Sequence, residues 1–386
     1  MSTIAFLVSH LSGTGHLVRT LAIARAAASR GCRAVVISGG RPLAHVDPGF
    51  AQIVQLPWIG VRGRDFTSPL DAHGRPVTEA LYDERARLAA GAVAATAPDV
   101  LVLETWPLGR RRLRREYVAA VDAARSRPGR RSKIAISVRD LPEPPSKPAR
   151  LEEAVSHLAS TADAVLVHGE ESFLPLGRTW PLPDALAARV RYTGYVSAGR
   201  TGPDGGRGNP MTQTGEIVVG VGGGDTGRRL LQLTARAAAH SEHSWRLRTG
   251  GSDAEALAST LTREHSAAAR HDLTVEPPTD DWQRRLASAA ATVTLAGYNT
   301  VTDLAPLSAP GLLIPDELGG QREQALRAAA LARFQGIETA EVATLDPAGL
   351  AVKADALAAA PRRPPLPIAL DGAERSADLL AAMAGG

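Results

Sequence analysis

A chain of 386 residues exceeds what one hydrophobic core usually organises, so two domains of roughly 150–200 residues are expected. Its hydrophobic share of 44% is ordinary for a folded protein, Ile4–Val8 is too short for a signal-peptide core, and no stretch approaches the ~20 apolar residues of a membrane span, which predicts a cytoplasmic protein. Cys32 is the only cysteine, excluding an internal disulfide and a cysteine-based zinc cluster, and a net charge of +4 with 4% aromatics gives no interleaved surface for nucleic acid.

Ile4–Ser9 reads as a short buried strand, followed by a Ser-Gly-Thr-Gly-His turn and a helix over Leu17–Arg30 that Gly31 closes. Ala34–Ser38, ended by Gly39-Gly40, completes a strand–helix–strand unit whose short connections favour parallel, right-handed pairing. Helices over Thr78–Ala95, Arg112–Arg125 and Leu151–Ser160 then precede strands Val100–Leu103, Ile134–Val138 and Ala164–Val167. This alternation predicts a doubly wound parallel sheet. The run Arg110-Arg111-Arg112-Leu113-Arg114-Arg115 is either a solvated helix face or a contact for phosphates or an anionic membrane surface, the latter placing the protein peripherally at the inner membrane face.

From Ser197 to Gly215 the sequence is crowded with Gly, Pro and polar residues, which marks an interdomain linker over 201–215. Alternation restarts with strand Glu216–Val221, helix Arg228–His240, strand Trp245–Arg248, helix Ala254–His265 and strand Leu273–Val275. It continues through helix Asp281–Ala290, strand Thr292–Leu295, helix Val301–Leu307 and strand Gly311–Ile314. The expected organisation is therefore a first α/β domain over 1–200, a second over 216–365, and a C-terminal helix within 366–386 that packs back on the first.

Four strand ends run into glycine turns: Gly13-Thr14-Gly15-His16, Gly222-Gly223-Gly224-Asp225-Thr226-Gly227, Gly250-Gly251-Ser252 and Ala296-Gly297-Tyr298-Asn299-Thr300. Glycines there remove the Cβ atoms that would keep a ligand from the backbone, and the exposed N–H groups with the helix dipole attract anions. A P-loop is absent, and Val18 stands where a dinucleotide fingerprint needs its third glycine, so nucleotide hydrolysis of that type and dehydrogenase chemistry are disfavoured.

His16 opens the first helix, where the positive dipole end favours a neutral imidazole able to accept a proton; the competing reading is a turn histidine that caps the helix. Asp140 and Glu104 follow predicted strands Ile134–Val138 and Val100–Leu103, at the edge that faces the ligand crevice of such sheets, and are alternative bases. Asp280-Asp281 reads as a helix cap. No Asp-x-Asp occurs, so no metal is expected, and the charge of a bound diphosphate falls to backbone N–H groups, hydroxyls such as Thr226 and Thr300, and an arginine among Arg228, Arg246 and Arg248.

The stretch Ala296-Gly-Tyr-Asn-Thr-Val-Thr-Asp-Leu304, followed by Pro310-Gly-Leu-Leu-Ile-Pro315 and Arg322-Glu-Gln324, resembles the corresponding region of the MurG-like glycosyltransferases, and the first turn looks like their Gly-x-Gly-His element. The resemblance runs from Ile4 to about Ala330. It implies the GT-B fold, two Rossmann-like domains facing each other across a cleft, and an inverting, metal-independent transfer from a nucleoside-diphosphate-sugar, usually a UDP-sugar. No cofactor is implied, the nucleotide-sugar being a substrate. Gly222, Gly223, Gly224, Thr226, Gly250, Gly297, Asn299 and Thr300 would hold the donor, Asp303 its ribose in place of a glutamate, and Glu323 and Gln324 the sugar. A small-molecule or lipid-linked acceptor would lie among Ser12, Gly13, Thr14, Gly15, Arg19 and Trp106. The Gly13–Arg19 pattern also resembles nucleotide-sugar hydrolases of the PseG type, in which His16 would activate water, and a noncatalytic nucleotide-sugar-binding protein is the alternative of a different class.

Overall fold

The computed structural model describes residues 1–42, 49–61, 63, 65–126, 129, 131–197, 214–221, 227–251, 253–316 and 322–385. The chain forms two compact units, one from 1–199 together with 369–386 and the other from 200–368.

In the first unit the elements alternate in chain order: β1 (Thr3–Val8), α1 (Gly15–Ala28), β2 (Arg33–Ser38), β3 (Gln52–Gln55), α2 (Glu79–Thr96), β4 (Val100–Glu104) and α3 (Arg114–Arg125). They continue through β5 (Lys133–Arg139), α4 (Pro148–Thr161), β6 (Ala164–His168), α5 (Asp184–Ala187) and β7 (Val190–Tyr192). Among the described residues the seven strands lie in the order β3-β2-β1-β4-β5-β6-β7, all parallel. The strands are apolar almost throughout because both faces are covered, and the period of two decides which cover each residue meets. Ala5 and Leu7 of β1 join the core under α2 and α3 with Val93, Tyr117 and Val121, whereas Ile4, Phe6 and Val8 join the opposite core with Leu17, Leu21 and Ala24 of α1.

The second unit repeats the plan with β8 (Ile217–Gly220), α6 (Arg228–Ala237), β9 (Trp245–Arg248), α7 (Ala254–His265), β10 (Leu273–Glu276), α8 (Trp282–Ser288) and β11 (Ala291–Thr294). Then follow α9 (Tyr298–Leu304), β12 (Gly311–Leu313), α10 (Glu323–Leu331), β13 (Ile337–Thr339) and α11 (Pro347–Ala359). Six parallel strands of the described residues run in the order β10-β9-β8-β11-β12-β13. Leu230, Leu233, Leu257 and Leu350 cover Ile217, Val219, Leu247 and Val293 in its core.

The last helix, α12 (Gly372–Gly385), belongs to the first unit. Its Ala373, Ala377, Leu380 and Ala384 enter the core that α1 lines, and Arg30 pairs with Asp378. Several elements escape a periodicity reading. The edge strand β3, Gln-Ile-Val-Gln, is largely exposed, and α11 is so rich in alanine that no apolar stripe stands out; its start is signalled by Asp346, whose carboxylate accepts the Gly349 N–H at 2.7 Å, with Pro347 next. Asp281 does occupy the N-cap position of α8, but its side chain makes no cap bond and instead accepts from Arg285 Nε at 3.1 Å, one turn on. The region expected as a linker lies outside the described residues from 201 to 213.

Candidate active site

In the first sheet the chain moves outward from β1 to β3 and then returns to place β4 beside β1, so the crevice at the carboxyl ends of β1 and β4 is the topological switch point where ligands of such sheets bind. Two of the residues expected as alternative bases meet there. Glu104 ends β4, His16 stands in the first turn of α1, and Glu104 Oε1 lies 2.7 Å from His16 Nδ1 and accepts from Arg19 Nη2 at 2.5 Å. Because an ionised carboxylate only accepts, Nδ1 is the donor and Nε2 keeps its lone pair. The imidazole is 22% exposed and the carboxylate 2%, so the pair opens to solvent on the histidine side alone.

The electrostatics agree with that tautomer. Desolvation outweighs the nearby Glu104 charge and pushes the His16 imidazole down to about 4. Burial works to raise the Glu104 carboxyl, but the charge and hydrogen bond of His16 and the charges of Arg19 and Arg110 leave it below the usual carboxylate range. The second Glu104 oxygen accepts from Thr105 Oγ1 at 2.8 Å. Thr105 itself has φ +67°, an uncommon conformation for a β-branched residue that turns the chain sharply after β4.

Behind this pair a buried ion pair ties the neighbouring loops together. Arg85 of α2 bonds Glu116 of α3 at 2.7 Å, donates to Ser9 Oγ at 3.1 Å and to the Gly39 carbonyl at 3.0 Å, and Ser9 Oγ donates to Glu116 at 2.7 Å. Residues just after β1 and β2 thus share one polar anchor, which no sequence signal identified because its members are scattered from 9 to 116. At this edge His10 was also missed, and Arg110 was read only as part of the basic run. His10 is 5% exposed, packed so close to Gly40 that a Cβ there would lie 2.2 Å from its ring. Arg110, at φ +56°, acts electrostatically on His10, His16 and Glu104.

The other residues expected on this side separate into exposed and buried sets. Ser12, Gly13 and Thr14 are exposed on the turn, and a side chain on Gly13 or Gly15 would meet nothing within 4 Å. Trp106 is buried, stacked on Tyr117 at 5.7 Å, and Arg19 is engaged by Glu104. Asp140 does not join the pair. It is fully buried, accepting from Tyr195 Oη at 2.8 Å and from the Leu141 N–H at 2.8 Å. The basic run divides: Arg114 pairs with Glu153 and Arg115 with Glu79 and Asp83, while Arg111 and Arg112 are exposed.

The switch point of the second sheet lies between β8 and β11. Gly222, Gly223, Gly224 and Thr226, in the turn after β8, lie outside the described residues. After β11, Gly297 opens into free space, where an added Cβ would meet only Thr300 Oγ1 at 3.9 Å; Thr300 Oγ1 donates to the Leu295 carbonyl at 2.7 Å, and Asn299 is exposed. Asp303, one turn into α9, accepts from Gln283 Nε2 at 2.5 Å, and burial raises its pKa against the lowering effects of Gln283 and Arg248. Gln324 is buried, its Oε1 accepting from the N–H groups of Ala296 at 3.2 Å and Asp316 at 3.1 Å, so it clasps the ends of β11 and β12 together. Glu323 is buried within reach of Arg327 at 3.8 Å, and Gly250 is buried two residues after β9. Among the described residues no group of three or more His, Cys, Asp or Glu could hold a metal ion.

No family model matches the chain, and no curated protein matches it. Solved structures do. MurG of Acinetobacter baumannii is 16% identical with a TM-score of 0.57, covering 99% of this chain and 100% of its own. UGT2 of Phytolacca americana, complexed with UDP-2fluoro-glucose and pterostilbene, is 13% identical with a TM-score of 0.60 over 100% of this chain and 94% of its own. The fold is GT-B. Glycosyltransferase VinC in complex with DTDP, 13% identical with a TM-score of 0.56 over 100% and 95% of the two chains, has it as well. Within that GT-B frame both Rossmann-like sheets are present, and no helix among the described residues is long and apolar enough to cross a membrane.

Proposed function

We propose that this GT-B protein transfers a sugar from a nucleoside-diphosphate-sugar to an acceptor hydroxyl, with inversion and without a metal ion. The observation that carries the reading is the His16–Glu104 pair at the switch point of the first sheet. Glu104 holds the imidazole through Nδ1, and Nε2 takes the proton of the acceptor hydroxyl as its oxygen attacks the anomeric carbon. The bond from that carbon to the diphosphate oxygen breaks on the opposite face, and the electron pair leaves with the nucleoside diphosphate. A direct displacement of this kind inverts the anomeric centre. Asp140, with both oxygens already bonded, serves the scaffold in this reading and not the proton transfer.

The second unit takes the donor. Open space above Gly297, together with Asn299 and Thr300, suits a diphosphate, and the Asp303 carboxylate suits ribose hydroxyls; Gly222, Gly223, Gly224, Thr226 and Gly250 belong to the same strand-end turns. Glu323 and Gln324 open α10 close to the end of β11 and serve the sugar by position. The complexes of the fold neighbours with UDP-2fluoro-glucose and DTDP support a nucleoside diphosphate with uracil or thymine as base.

The test is nucleoside diphosphate release from a panel of UDP-, TDP- and GDP-sugars, with and without a library of hydroxylated acceptors, in EDTA. Release that depends on acceptor and an inverted product by NMR are expected. Release at full rate into water alone would favour the hydrolase, with His16 activating water, and binding without turnover would leave a noncatalytic binding protein.

A further inference from the structure

The strands of the second sheet end in one register row. Glu276, Arg248, Gly220 and Thr294 pair in succession across β10, β9, β8 and β11, so Arg248 and Thr294 flank Gly220 on either side, at the carboxyl edge beside the switch point. Trp282 occupies the space that Gly220 leaves, since a Cβ there would come 2.6 Å from its ring, and the Arg248 guanidinium lies 4.7 Å from the Trp282 ring centroid. The cation is thus spread on an indole face and its direction is set by packing.

The three arginines offered by the sequence now separate. Arg246 is engaged by Glu216 at 2.9 Å and Glu276 at 3.1 Å, and Arg228 by Asp253 at 2.5 Å. Arg248 pairs with no carboxylate within 4.0 Å among the described residues, and its buried Nε has no hydrogen-bond partner there. On the other side of Gly220, Thr294 is 6% exposed, and its buried hydroxyl is likewise unpartnered among them. The Asp303 and Glu276 carboxylates act on this cation from beyond ion-pair distance, and a guanidinium, which can only donate, keeps an unpartnered N–H for an anion.

We propose that Arg248, with the Thr294 hydroxyl as a second donor, binds the diphosphate of the donor and takes up the negative charge that develops on it as the glycosidic bond breaks. This rests on the glycosyl-transfer reading. The leaving oxygen receives the electron pair of the broken C–O bond, and Arg248 stabilises that charge by hydrogen bonding with no proton transferred.

Titration of the full chain with UDP, TDP and the corresponding nucleosides, for wild type, Arg248→Met, Arg248→Lys and Thr294→Val, tests the assignment. Arg248→Met should weaken nucleoside diphosphate binding roughly 10- to 100-fold, as removing a charged hydrogen-bond donor does, and Arg248→Lys, which keeps the charge, by less. Nucleoside affinity should not change, and Thr294→Val should show a smaller loss confined to the diphosphates. Equal weakening of nucleoside and diphosphate would make Arg248 a base- or ribose-reading residue and overturn the proposal, as would unchanged diphosphate affinity in folded Arg248→Met. A wild-type protein that binds no nucleotide would overturn the glycosyl-transfer reading itself, a result distinct from either.

Discussion

In the proposed mechanism His16 accepts the proton, and its setting dictates how it should respond to substitution and to pH. With Nδ1 committed to Glu104, His16→Ala removes the proton acceptor and should lower the single-turnover rate by about 10²–10⁴. Nucleotide affinity should stay unchanged; a normal rate in the variant would remove His16 from the mechanism. Since desolvation sets the imidazole near 4, it is neutral at ordinary pH, and the rate should be flat from pH 8 to 6 and fall only as pH approaches 4. His168 shows the same physics without chemistry. Fully buried between Ser137 Oγ at 2.8 Å and Thr193 Oγ1 at 2.9 Å, it is pushed by desolvation from 6.5 down to about 3. Between those values the unfolded chain binds a proton that the folded chain refuses, so its contribution to stability is complete above about pH 6.5 and is lost as pH falls towards 3. Urea midpoints should therefore drop across that window, with a shallower slope in His168→Gln.

At the scale of elements, the glycines of the strand-to-helix turns divide into two kinds that look alike in sequence. Gly297 has φ −69° and ψ 168°, a conformation any residue adopts, and nothing but Thr300 Oγ1 at 3.9 Å near its missing Cβ. Gly227 has φ +102°, and a Cβ there would come 2.5 Å from Val221. Gly297→Val should keep the wild-type melting temperature and weaken nucleoside diphosphate binding, because its side chain fills the space proposed for the phosphates. Gly227→Ala should instead lower the melting temperature through strain and overlap. Melting curves and nucleotide titrations on both variants separate the kinds, and a Gly297→Val protein with unchanged affinity would place the donor elsewhere.

For the molecule as a whole, the chain's last helix is the element whose removal says most. Ala377 and Leu380 are completely buried against the face of α1, and the main chain of Tyr195 donates to the Ala369 carbonyl at 2.8 Å. Deleting 369–386 would expose Leu21, Ala24 and Ala27 together, at about 25 cal/mol for each Å² of apolar surface uncovered. The truncated chain should melt earlier in the transition of the first unit, while the second unit, whose described core excludes α12, keeps the nucleotide affinity proposed for it. Calorimetry with and without UDP checks both halves of that expectation.

Local physics carried the sequence a long way. Apolar strand runs, helical spacing and the glycines between them are short-range signals, and they sufficed for two doubly wound sheets and for His16 at the start of a helix. Signals weakened where an element is short or unpatterned, as in β3 and in the alanine-rich α11. What sequence could not contain was pairing between distant residues. Glu104, read as a rival to His16, is bonded to it across 88 positions; Asp140, an equal candidate by strand position, is bonded to Tyr195. Of three arginines of like standing, two have carboxylate partners and Arg248 has an indole face. Strand order and register decide such matters, because only they bring the ends of β1 and β4, or of β8, β9 and β11, side by side.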